Sequence, residues 1–122
     1  MDTQWVHDYF KTVDTLDADA IAAYFTDDGK FRFSNQPPAV GKQAVRDSLA
    51  QFFDTIEAMH HEKAGLWLGD DGNSAVWETD VTYTRKDGTQ VTLPCASILR
   101  SRADKIYDFR MNMDISPVYK NP

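Results

Sequence analysis

Two carboxylates stand two residues apart in the sequence, Glu78 and Asp80. Residues i and i+2 of a strand point to the same face, roughly 7 Å apart, so the two groups can share one environment. If that face lines a cavity, desolvation and mutual repulsion favour a proton on one of them, which makes it a proton carrier near neutral pH. Alternation leaves a second interpretation open, in which Glu78 and Asp80 face solvent while Trp77 and Val81 face the core.

A second group of titratable residues is the run His60, His61 and Glu62. Neighbouring strand residues face opposite sides, so the two histidines do not bind one ion together. His60 with Glu62 offers only two ligands, fewer than a zinc site needs. We therefore predict no metal here and take His60 as a candidate acid–base partner of the carboxylates.

Other kinds of reactive site are not indicated. The sequence has no serine-based nucleophile elbow, no phosphate-binding glycine loop and no dinucleotide fingerprint, so we expect no cofactor. Cys95 has no adjacent activating residue, and a buried inert thiol is the usual state of such a cysteine.

Composition limits the class of partner. The chain has 122 residues with 13 Lys and Arg against 19 Asp and Glu, a net charge of −6, which argues against nucleic acid or an anionic membrane. No apolar run reaches the ~18–20 residues of a membrane span, and the N-terminus lacks the pattern of a signal peptide. We expect a single globular domain over residues 1–122, located in the cytoplasm, with no internal disulfide.

Hydrophobic periodicity predicts helices first and strands after them. A helix is predicted over residues 3–14, a shorter one after its cap Asp17, and a third over 42–56. Asp27-Asp28-Gly29 is expected to end the second helix, and a short strand to follow over 31–33. The remaining predicted strands cover residues 58–68, 74–85, 90–101 and 105–115, with a bulge or kink at Pro94. This order is typical of the α+β class.

Three stretches carry a resemblance to a known family: residues 37–45, residues 76–88, and the run from Lys105 to Asp114. They resemble the nuclear transport factor 2-like superfamily, in its SnoaL-like and limonene epoxide hydrolase-like branch. The resemblance implies a cone-shaped α+β barrel, with three helices on a curved, mostly antiparallel sheet around an apolar pocket. It also implies a small hydrophobic ligand and an orientation of Asp80 toward the pocket.

The catalytic set of the epoxide-opening members does not carry over. Where their central strand has an Arg and an Asp, this chain has Glu78 and Asp80, and Met111 stands where they have a second Asp. Epoxide hydrolysis by that mechanism is therefore not expected. Alternation on the last strand favours either pocket lining or ordinary core for its apolar residues. The candidate substrate-binding residues are Tyr9, Tyr24, Phe33, Trp67, Phe109, Met111 and Met113.

Three functions remain open at this point. The first is cofactor-free acid–base chemistry of the isomerase, cyclase or hydratase type on a small hydrophobic substrate, with Asp80 moving the proton and Glu78 and His60 assisting. The second is a non-catalytic binder of a hydrophobic metabolite. The third is a dimerising scaffold that pairs through the outer sheet face, and we expect a homodimer.

Overall fold

The structure is a computed structural model and describes residues 1–120. Helix α1, Thr3–Val13, begins where Asp2 accepts a hydrogen bond from the backbone N–H of Trp5 at 2.8 Å. The face of α1 that packs on the sheet consists of Val6, Tyr9, Phe10 and Val13. These positions recur at helical spacing, so the predicted first helix is confirmed.

The second predicted helix is also present. Helix α2, Ala18–Ala22, is capped by Asp17, whose carboxylate accepts from the backbone N–H of Ala20 at 3.0 Å. It ends before the Asp-Asp-Gly run that the sequence was expected to use as a helix stop. That run lies inside strand β1, Phe25–Phe33, which is longer than the predicted strand over 31–33.

The Asp-Asp-Gly run forms an irregularity in β1, and this explains the difference. The pairing register between β1 and its neighbour shifts between Phe25 and Lys30. At Gly29 a Cβ atom would come within 3.1 Å of the carbonyl oxygens of Thr26 and Ile106. A side chain here would crowd the backbone of two strands, so the close approach within the sheet favours glycine.

A short strand and a longer helix follow. Strand β2, Ala39–Val40, pairs with β1 after the two prolines, and helix α3 covers Lys42–Phe53. The predicted third helix extends to residue 56, three residues too far. Its buried positions are Val45, Leu49 and Phe53.

The four predicted long strands are all present. They are β3, Ala58–Leu68; β4, Ser74–Thr84; β5, Gln90–Arg102; and β6, Lys105–Asn112. The chain then leaves the sheet, and a 3₁₀ turn covers Ser116–Tyr119.

Six strands form one sheet in the order β2-β1-β6-β5-β4-β3. All neighbours pair antiparallel except β1 and β6, which are parallel. The chain therefore has three helices on a mostly antiparallel sheet, and the predicted α+β class is confirmed.

The bulge predicted at Pro94 is wrong. The register of β4 and β5 is unbroken through the pair Asp80 and Pro94, and pairing of β5 with β6 begins only at Ala96 and Asn112. Pro94 thus needs no N–H toward β6, because β6 does not reach it, and the missing donor disturbs nothing.

The two faces of the sheet differ in burial. Along β4, Trp77, Thr79, Val81 and Tyr83 are buried, and the residues between them are exposed or half-buried. The buried face meets the helices, and Phe25, Leu99, Ile106 and Phe109 complete its core with exposures of 0 to 2%. This face closes one side of a cavity.

Candidate functional site

A cavity of about 660 Å³ lies between the sheet and helices α1 and α3. Its enclosed part is lined by buried side chains, and Phe31 and Phe109 stack there with ring centroids 5.1 Å apart. Toward solvent it is lined by the exposed residues Gln36, Pro37, Pro38, Gln51, Thr55 and Tyr119. A concave, mostly apolar space of this size is typical of small-molecule sites.

Four of the residues proposed to bind substrate line this cavity: Tyr9, Phe33, Phe109 and Met111. Tyr24 does not; its ring packs against Tyr9 with centroids 5.2 Å apart. Met113 follows the end of β6, and its sulfur accepts a hydrogen bond from the Tyr83 hydroxyl at 3.3 Å.

Trp67 also lies away from the cavity, on the outer face of the sheet, with 58% of its surface exposed. The reason is a register shift between Lys63 and Gly65 in β3, which changes the alternation of the strand. The indole ring lies over Gly65, where a Cβ atom would come within 2.4 Å of Trp67 Cη2.

The expected orientation of the two carboxylates toward the cavity is wrong. Glu78 and Asp80 are exposed on the outer face of β4, whereas Trp77, Thr79 and Val81 face the helices. Plain alternation decides the orientation, because no register shift interrupts β4 against β5. Neither carboxylate lines the cavity.

His60 likewise lies outside the cavity, with 67% of its side chain exposed and its Nε2 atom 3.3 Å from Glu62 Oε2. The neighbouring His61 takes the inward position that we expected of a histidine, because Met59 and His61 share the inner face of β3. The His61 side chain is only 3% exposed.

Asp14, which the sequence analysis assigned only to the end of the first helix, holds His61. Its Oδ1 atom lies 2.5 Å from His61 Nδ1, and its Oδ2 atom accepts from the backbone N–H of His61 at 3.0 Å. A carboxylate can only accept hydrogen bonds, so Nδ1 carries the proton and Nε2 keeps its lone pair. The two bonds fix both the position and the tautomer of an imidazole in the cavity wall.

Asp14 is the C-terminal cap of α1, and β3 is an edge strand. The free backbone N–H of an edge strand needs a partner, and a carboxylate at the adjacent helix end supplies one. An acidic residue at a helix C-terminus opposes the helix dipole. That local conflict is the signal in the sequence that could have identified Asp14.

Tyr9 lines the enclosed part of the cavity and is almost fully buried. Burial, and secondarily the neighbouring Tyr24, raises the pKa of Tyr9 well above its ordinary value. The phenol therefore stays protonated and can donate a hydrogen bond. Burial also raises the pKa of Cys95, which agrees with an inert thiol.

Within residues 1–120, no group of three or more His, Cys, Asp or Glu residues is arranged to hold a metal ion. Across the same residues, no helix combines the length and apolarity that crossing a membrane requires. The expected cytoplasmic location stays a prediction.

Comparison with known proteins identifies the class. The family model for the SnoaL-like domain matches residues 6–109, so the chain belongs to this family and the resemblance predicted from sequence is confirmed. A search among curated protein sequences found no match.

Solved structures share the fold at low identity. A protein from Catenulispora acidiphila with a ketosteroid isomerase-like fold, in complex with trimethylamine, superposes with a TM-score of 0.84 and 17% identity, each chain covered in full (100% and 100%). The epoxide hydrolase/cyclase-like enzyme SalBIII, which has a role in pyran ring formation in salinomycin, superposes with a TM-score of 0.79 and 21% sequence identity. The superposition covers 93% of this chain and 90% of SalBIII. A candidate polyketide cyclase from Xanthomonas campestris superposes with a TM-score of 0.77 and 18% sequence identity, over 94% of this chain and 91% of the cyclase.

Proposed function

We propose that this protein performs cofactor-free acid–base chemistry on a small apolar carbonyl compound bound in the cavity. The observation that carries the proposal is the contact between Asp14 and His61, 2.5 Å long, at the wall of an otherwise apolar space. A buried imidazole whose tautomer is fixed by a carboxylate is a suitable general base near neutral pH. His61 thus takes the role that the sequence had suggested for Asp80.

The chemistry follows from the two ring nitrogens. Nε2 of His61 removes a proton from a carbon next to the substrate carbonyl, and the same nitrogen can return it to another atom. The imidazolium formed in between is stabilised by the carboxylate of Asp14. Isomerisation, cyclisation and hydration all use such a proton transfer.

Negative charge develops on the substrate oxygen when the proton leaves. Tyr9 is the neutral phenol in the enclosed part of the cavity, and a donor fixed there stabilises an oxyanion without having to reorganise. The surrounding apolar side chains exclude water and strengthen this interaction.

The proposal is tested with 2-tetralone, an apolar ketone with acidic α-hydrogens, by following deuterium incorporation from D₂O with NMR. The protein should accelerate exchange, and His61→Gln should lower the rate by about 10²-fold or more because it lacks the base. Asp80→Asn is the matched control, since it removes an exposed carboxylate on the outer face. Full exchange activity in His61→Gln, or its loss in Asp80→Asn, would contradict the assignment.

The alternative of a non-catalytic binder is decided by the same experiment. Saturable binding of 2-tetralone without accelerated exchange in the wild-type protein would favour it.

We also propose that the protein is a homodimer that pairs through the outer face of the sheet. Five residues that pair with one another across neighbouring strands form a row on that face. The row begins with Arg32 and Arg110, passes through Ile98, and ends with Val76 and Trp67. The exposed acids Glu62, Glu78 and Asp80 lie on the same side as Trp67. A second copy turned by a two-fold axis would match acids to bases and cover the indole.

A further inference from the structure

A second, smaller space lies at the edge of the sheet, between α1 and strands β3 and β4, with a volume of about 260 Å³. Phe10 and His61 line both this space and the cavity, so they form part of the wall between the two. We call the smaller space the edge cleft. Its other lining residues are His7, Lys11, Asp14, His60, Lys63 and Trp77. The edge cleft is therefore lined mainly by polar and titratable side chains, whereas the cavity is mostly apolar.

The edge cleft has an excess of positive charge. Lys11 and Lys63 are exposed at it, and neither forms an ion pair within residues 1–120. Asp14 is the one acid in its lining among the residues that the structure describes, and two hydrogen bonds to His61 already engage that carboxylate. In a chain whose net charge is −6, two unpaired ammonium groups beside one cleft attract an anion to this place.

The edge cleft also contains hydrogen-bonding groups that the described part of the chain leaves unsatisfied. Nε2 of His7 and Nε1 of Trp77 are buried and have no hydrogen-bond partner within residues 1–120, and the two rings lie 5.3 Å apart. Trp77 is 4% exposed, and its indole N–H can donate but not accept. Buried polar groups of native proteins are nearly always hydrogen-bonded, so this donor indicates an acceptor that comes from outside the chain.

The aromatic part of the lining limits the shape and size of a ligand. Phe10 and Trp77 stack with ring centroids 5.0 Å apart and 14° between their planes. A flat ring packs well against such a pair. A volume of about 260 Å³ is below the range of sites for drug-sized ligands, ~300–1,000 Å³, so a single ring with a short substituent is the size that fits.

We propose that the edge cleft is a second binding site, which takes a small aromatic carboxylate. The ring of the ligand packs against Phe10 and Trp77. Its carboxylate lies near the ammonium groups of Lys11 and Lys63 and accepts a hydrogen bond from the indole N–H of Trp77. The site goes beyond the proposed function, since it uses neither the cavity nor the proton transfer by His61.

The indole signals in a ¹H–¹⁵N NMR spectrum test this proposal, because the chain has three tryptophans in three different places. Trp77 lines the edge cleft, Trp67 is exposed on the outer face of the sheet, and Trp5 stacks on Tyr9 beside the cavity. Benzoate titrated at pH 7 should shift the Trp77 signal saturably and leave the other two unchanged. Benzamide, which has the same shape and no charge, should bind at least about fivefold more weakly. No saturable shift of Trp77, or equal affinity for benzamide, would overturn the proposal.

Two double variants make the test specific to the edge cleft. Lys11→Gln with Lys63→Gln removes both ammonium groups of the cleft and should weaken benzoate binding by about fivefold or more. Lys30→Gln with Lys86→Gln is the control, since it changes the net charge equally at exposed positions outside the cleft and should leave the affinity unchanged. An equal loss of affinity in both double variants would mean that net charge is responsible. Unchanged affinity in the first would mean that benzoate binds elsewhere, and either result would overturn the proposal.

Discussion

At the scale of single residues, Asp14 combines two tasks. A carboxylate at the C-terminus of α1 is disfavoured by the helix dipole, by roughly 0.3–1 kcal/mol at an exposed site. Two hydrogen bonds to His61 offset this, and bonds to a charged acceptor contribute about 1.5–3 kcal/mol each. The same contacts that tie α1 to β3 also orient the imidazole, so structure and chemistry depend on one side chain.

Tyr9 and Tyr83 carry a prediction about alkaline pH. Burial raises the pKa of both phenols above the ordinary value of 10.0, so the unfolded chain ionises them at lower pH than the folded protein does. The stability that depends on their neutral form is fully present below about pH 10 and is lost as the pH rises above it. The urea midpoint should therefore fall between about pH 9.5 and 11.

Substitution isolates this effect from the titration of lysines. Tyr83→Phe should lower stability at pH 8, because the bond to Met113 is lost, but should flatten the decline above pH 10. Tyr107→Phe is the control, since Tyr107 is only partly buried, its ring packs against the exposed Arg102 at 4.7 Å, and its removal should leave the slope unchanged. An equal slope in the wild type and Tyr83→Phe would contradict the effect of burial.

At the scale of elements, the periodicity of the sequence predicted α1, α3 and the four long strands well. It did so because their buried faces follow simple helical or alternating spacing. It was wrong where backbone geometry competes with local preference. The residue types of Asp27-Asp28-Gly29 are typical of a helix end, but the run lies inside β1 because β1 pairs with β6 on both sides of it. A proline inside a strand is typical of a bulge. At Pro94 there is none, because β6 is too short to pair with this part of β5 and no N–H is needed there.

The candidate site was harder to predict than the fold for the same reason. Alternation in β4 shows that Glu78 and Asp80 lie on one face and their neighbours on the other. It does not show which of the two faces the helices cover. The register shift in β3 turns Trp67 outward, and an isolated glycine inside the strand pattern, Gly65, is the signal in the sequence that could have indicated it. Asp14 and His61 are 47 residues apart, and only the packing of α1 beside the edge strand brings them together.

At the scale of the whole molecule, the net charge of −6 is distributed unevenly. Charged residues are absent from the cavity lining within residues 1–120, and they occupy both sides of the outer sheet face. The first pattern favours an uncharged ligand, and the second favours a partner of complementary arrangement, which a second copy of the chain provides.

The dimer has a direct test in light scattering after gel filtration. The wild-type protein should have the mass of two chains, and Trp67→Lys should give one chain, because it places a cation where the exposed indole would be covered. Tyr119→Lys, also at an exposed aromatic residue but at the cavity opening, should stay a dimer. A wild-type mass of one chain at all concentrations would contradict the proposal.

The central claim is that Asp14 holds His61 as the proton carrier of the cavity. A long-range ¹H–¹⁵N NMR spectrum of the histidine rings measures this directly. We predict that the neutral ring of His61 carries its proton on Nδ1, that Asp14→Asn abolishes this preference, and that added 2-tetralone shifts the Nε2 resonance. A ring protonated on Nε2, or a His61 signal that the ketone leaves unchanged, would contradict the account.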